Sequence, residues 1–69
     1  MAHYQVVIET REMQTGGFRA TVAQGPTWAV GASVDDPDAQ DAGEAASWLR
    51  MDVRALRPDD DFDFLRAES

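Results

Sequence analysis

The chain has 69 residues, no cysteine and a formal charge of -7 at pH 7. That length makes one domain at most, with a thin core that buries only about 60% of the surface its unfolded chain exposes, and the missing thiols exclude disulfides, thiolate nucleophiles and cysteine-based zinc sites. Thirteen acids face six bases, all of them arginine, which disfavours direct binding to nucleic acid, where cations must displace counterions from phosphate, and favours a basic protein partner.

Alternation opens the chain. Tyr4, Val6 and Ile8 share one face and Gln5, Val7 and Glu9 the other, which predicts a strand over residues 3–10. Arg11 to Gly17 is a polar connection, and Gly16-Gly17 admits the positive φ that a hairpin turn often needs. Phe18, Ala20 and Val22 then alternate with Arg19 and Thr21 in a second strand. Ala23-Gln24-Gly25-Pro26 reads as a second turn. Trp28, Val30, Ala32 and Val34 alternate with Thr27, Ala29, Gly31 and Ser33, which predicts a third strand with Trp28 in the core. Three strands joined by short turns form an antiparallel meander with one apolar face to cover.

The cover follows. Asp36 suits a helix N-cap and Pro37 the first helical position. Asp38 and Asp41 would then fall in the first turns, where the helix dipole favours acids. Ala42, Ala45, Ala46, Leu49, Val53 and Leu56 lie within one stripe of a helix and predict the face laid on the sheet. Arg50, Arg54 and Arg57 form a basic stripe toward the C-terminal end, and Arg57-Pro58 ends the helix. In the tail, Phe62 and Phe64 alternate with Asp61 and Asp63. The pattern fits a short edge strand whose acids discourage edge-to-edge association, or an acidic tail that orders on a partner. The strand is preferred, because so thin a core needs both Phe side chains. The expected fold is α+β, with a three-stranded antiparallel meander, one helix and a short fourth edge strand (β-β-β-α-β), all in one domain over 1–69 with 59–69 as the tail or edge strand.

Chemistry-bearing motifs are sparse. His3 is the only histidine, and beside the N-terminus it reads as an exposed bystander rather than a base or ligand. Asp35 to Glu44 lacks the spacing of an EF-hand loop, and helix capping explains its acids more simply. No nucleophile–base pair, metal motif or phosphate-cradling loop stands out, so no catalytic residue, cofactor or metal is expected, and the chain does not read as an enzyme. Trp48 and Met51 fall outside the core stripe, three residues apart and therefore neighbours. Asp41, Glu44 and Asp52 surround them, so the group resembles an interface hot spot inside an acidic rim. The competing reading is that Phe62 and Phe64 fold back over Trp48. A second acidic group, Asp59, Asp60, Asp61 and Asp63, is the other expected partner-binding element. No apolar run approaches the ~18 residues of a membrane span, and Met1-Ala2-His3-Tyr4-Gln5 lacks the layout of a signal peptide, so no membrane partner and a cytoplasmic location are expected.

Gly16-Gly17-Phe18, Ala20, Val22, Pro26 and Gly31-Ala32-Ser33-Val34-Asp35-Asp36 before an Ala-rich helix ending in Trp48-Leu49 resemble the HicB-like antitoxins over roughly residues 4–56. The resemblance implies a β-β-β-α-β domain of degraded RNase H-like or dsRBD-like outline. It implies an antitoxin that masks a small basic mRNA-cleaving toxin, and a tendency to form homodimers or larger oligomers. The expected function is a non-catalytic acidic protein that neutralises a basic nucleic-acid-acting protein. One alternative is a phage-encoded acidic inhibitor of a host defence nuclease, of the anti-CRISPR or anti-restriction kind, in which acids stand in for phosphates. Another is an accessory subunit of a larger complex.

Overall fold

A computed structural model describes residues 1–67 of the chain. Strand β1 spans His3–Glu12 and β2 spans Phe18–Gln24. They pair antiparallel, with Thr10 opposite Ala20 and Glu12 opposite Phe18. The hairpin between them closes where Gly16 N donates to Met13 O at 3.0 Å. Gly16 and Gly17 follow at φ 102 and 77, in the region that only glycine enters cheaply. Their positions set the β1–β2 register and so the inward face.

The third strand differs from its sequence expectation. Strand β3 covers only Ser33–Asp36, and the segment before it is a turn rather than a strand. Pro26 O accepts from Ala29 N at 2.9 Å and from Val30 N at 3.2 Å, and Ala29 O accepts from Ala32 N at 3.1 Å. Pro26 is the first residue of this turn and supplies its accepting carbonyl, and the apolar alternation of Trp28 to Val34 is coincidental over its first half. Consequently Ala29 is fully buried while Val30 is about half exposed (49%). Trp28 still packs on the core, from the turn instead of from a strand.

The helix also begins later than expected. Asp36 lies in β3, and Asp36-Pro37 opens a turn in which Asp36 O accepts from Ala39 N and Asp36 Oδ1 from Asp38 N, both at 3.2 Å. Asp-Pro suits the first two positions of a β-turn as well as a helix start. Helix α1 spans Ala42–Leu56, with Asp41 as its N-cap. Asp41 Oδ1 accepts from Glu44 N at 3.1 Å, and Glu44 Oε2 accepts from Gln40 N at 3.0 Å. This is close to a capping box. Asp41→Ala is expected to cost about 1 kcal/mol and to lower Tm by roughly 4–8 °C in a domain of this size. Thermal unfolding followed by circular dichroism measures it, and an unchanged Tm would mean the cap is idle.

On α1, Ala45, Leu49 and Val53 are buried and face Val6, Ile8, Ala20 and Val22 of the sheet. Leu56 does not join them. It lies about 4.5 Å farther along the axis than Val53 and is 58% exposed, so the core ends one turn before the helix does. Strand β4, Asp61–Arg66, completes the sheet. Its neighbour is β1, to which it runs parallel, with Tyr4 opposite Phe62 and Val6 opposite Phe64. The sheet is therefore mixed, in the order β3-β2-β1-β4. The helix crosses over the two inner strands from one edge to the other, the connection that parallel strands require.

Candidate partner-binding surfaces

Helix geometry places Trp48 on the side of α1 that leans toward β3. Trp48 and Asp52 line a shallow hollow with Val34, Asp35 and Asp36. Trp48 is 53% exposed and Met51 57% exposed. The tail does not cover Trp48: Phe62 and Phe64 stack on each other at 5.7 Å, and Phe62 packs against Tyr4 and Trp28 at 5.8 and 5.9 Å. The Phe pair thus serves the β1–β4 end of the core.

The acids around Trp48 have unequal duties. Asp41 and Glu44 are held by the helix start, whereas Asp52 is exposed and makes no ion pair with a described residue. Asp35 is gripped by Arg19, whose Nε donates to Oδ1 and whose Nη2 donates to Oδ2 at 3.0 Å. That hydrogen bond holds the Asp35 carboxyl below the ordinary carboxylate range, and the carboxylate in turn raises Arg19. Asp35 and Asp36 beside Trp48 are the part of this surface that sequence reasoning missed. Reading Asp36 as a helix cap hid it, and only the placement of β3 alongside α1 brings it there.

The second acidic group sits elsewhere. Asp59, Asp60, Asp61 and Asp63 follow the helix into β4, at the sheet edge opposite β3, about 14 Å away across three strand spacings. Two of them are tied to the N-terminus. Asp60 Oδ1 accepts from Ala2 N at 2.9 Å, and Asp63 Oδ2 meets His3 Nε2 at 2.8 Å. The Asp63 hydrogen bond, then its charge, raises the His3 imidazole above its ordinary value. Asp59 and Asp61 remain exposed. The two acidic groups are thus separate surfaces rather than one.

Arg50 and Arg54 of α1 lie toward β4, and the C-cap Arg57 lies toward the β2–β3 turn. Arg54 stands over the Phe64 ring and Arg57 over the Trp28 ring, each 4.9 Å from the centroid. Charge is accordingly sorted across the helix, with Asp52 toward β3 and Arg54 toward β4. Among the described residues no cluster of three or more side chains is arranged to hold a metal ion, and no helix is long and apolar enough to cross a membrane. No family model, curated protein or solved structure matches the chain.

Proposed function

We propose that this chain is a non-catalytic acidic binding protein that neutralises a basic nucleic-acid-acting protein, in the manner of an antitoxin. The observation that carries this reading is the exposed Trp48–Met51 pair, bordered by Asp52, Asp35 and Asp36 on the β3 side. A large aromatic ring inside an acidic border supplies apolar contact area at the centre of an interface, while the acids speed encounter with a cationic partner and select for it. The net charge of -7 extends that attraction beyond the contact itself.

The test is capture of the partner by the tagged chain at about 0.05 M and about 0.5 M salt, followed by identification. Those concentrations bracket the range over which exposed charges become screened. The expected partner is a small basic nuclease or nucleic-acid-binding protein, held at low salt, released at high salt and inhibited in its own activity by the chain. Trp48→Ala with Met51→Ala should weaken the complex at least about 30-fold, the scale of a 2 kcal/mol hot spot. A partner that binds the double variant as tightly as the parent chain, or that keeps its full activity in the complex, would overturn the reading.

A further inference from the structure

Strand β4 leaves an edge of the sheet open. Asp61 N donates to Ala2 O and Ala67 N to Ile8 O, both at 2.9 Å, so the odd-numbered amides of this segment face β1. Successive backbone groups of a strand point to opposite sides, which turns the amides and carbonyls of Phe62, Phe64 and Arg66 outward. Next to them runs a groove of about 230 Å³ between strand and helix. Ile8 and Thr10 line it, with Arg50 on the helix side and Arg66 on the strand side. Arg54 adds its guanidinium above Phe64. Among the described residues Arg50 donates to Ser47 Oγ, at 2.9 Å, and none of these three arginines makes an ion pair. In a chain with more than twice as many acids as bases, three arginines beside one open edge with no ion pair among the described residues are a local reversal of sign.

We propose that the β4 edge and its arginine groove form a docking surface for an extended acidic protein segment, which adds to the sheet as a fifth strand and sets alternate carboxylates against Arg50, Arg54 and Arg66. An open row of backbone donors and acceptors is matched by another extended backbone. Side chains two residues apart on that strand share a face, so carboxylates at every second position reach the groove together. Arginine forks hold carboxylates with charge-assisted bonds. A second copy of β4 fits less well, since its helix-side residues are Phe62, Phe64 and Arg66 and would bring arginine against arginine. Single-stranded nucleic acid offers phosphate oxygens to the arginines and to the amides, but its phosphates carry no donor for the outward carbonyls between those amides.

The probe is a blocked octapeptide of alternating glutamate and valine, titrated into the ¹⁵N-labelled chain at low salt. The expected result is shifts and slowed exchange centred on the Phe62, Phe64 and Arg66 amides, with the lysine–valine counterpart binding at least about tenfold more weakly. Arg50→Glu should weaken the glutamate peptide by a similar factor. Arg66→Pro removes one outward amide and one cation at a position where an edge strand tolerates proline, and should abolish binding while the rest of the spectrum stays folded. Trp48→Ala should leave peptide binding unchanged, which separates this surface from the helix face. Four results would overturn the proposal: equal binding of the lysine peptide, shifts confined to other strands, an equal response to a short oligothymidylate, or self-association that protects these amides without peptide.

Discussion

Replacing Gly17 with alanine is expected to remove a large share of the domain's stability, whereas the same change at Gly16 should remove far less. Both glycines have positive φ, at 77 and 102, and a side chain there costs about 1–2 kcal/mol. At Gly16 the added methyl meets open space. At Gly17 it would lie 2.6 Å from the Pro37 carbonyl carbon, and closer still to Pro37 Cα and Asp36 O. These are backbone atoms, so no rotamer change relieves the clash. Either the hairpin or the β3 turn has to move, and the pairing of Phe18 with Asp36 breaks. The combined cost should exceed about 4 kcal/mol, the level that marks a severe lesion. A domain of this length has roughly 3–10 kcal/mol in all. Urea unfolding of the two variants decides the matter, and equal midpoints for Gly16→Ala and Gly17→Ala would refute the close approach.

Leu49→Ala should be the other severe change. Leu49 is 1% exposed and the largest of the fully buried side chains. It sits between Ala45 and Val53 on the helix face that meets Val6 and Val22. Its truncation leaves a cavity under a single helix, and comparable deletions cost about 2–5 kcal/mol. The adjacent Trp48 is the internal control. It is the bulkier side chain, yet it is 53% exposed, and Trp48→Ala should cost at most about 0.5 kcal/mol, as surface changes usually do. Chemical denaturation of both variants gives the comparison. If Trp48→Ala proved as costly as Leu49→Ala, Trp48 would be part of the core, and its exposure could not be assigned to a partner.

How far the sequence disclosed this depends on the range of the interactions involved. The faces of β1 and β2, the glycine hairpin and the Ala45–Leu49–Val53 stripe were legible because each is a local periodicity reinforced by burial. The place of Trp48 and Met51 off the core stripe followed from the same helical angles, whereas the absence of the Phe62–Phe64 tail from Trp48 was settled only by where those rings pack. The segment from Trp28 to Val30 was not legible: its apolar alternation imitates a strand, while the Pro26 carbonyl bends it into a turn. Asp36-Pro37 carried two valid local meanings, turn and helix start, and only the neighbouring strand chose between them. The edge strand at Phe62 and Phe64 was readable, but its parallel seat beside β1 was not, because that is a property of the crossover rather than of any window of residues. The same long-range geometry moves Asp36 next to Trp48 and carries Arg50 and Arg54 over to β4.

The parallel pairing of β4 with β1 also sets an order of events during synthesis. His3 aligns with Asp61 and Ile8 with Arg66, so of these five elements the inner strand β1 leaves the ribosome before the others and its neighbour β4 after them. Until then the hairpin and helix can form, but Tyr4 and Trp28 lack the Phe62 ring that packs against both of them. Contacts so distant in sequence slow the final closure, and an unfinished sheet exposes apolar surface and an unpaired edge. A nascent chain stalled before residue 61 would present the long side of β1 where the finished protein presents the short, acid-flanked β4.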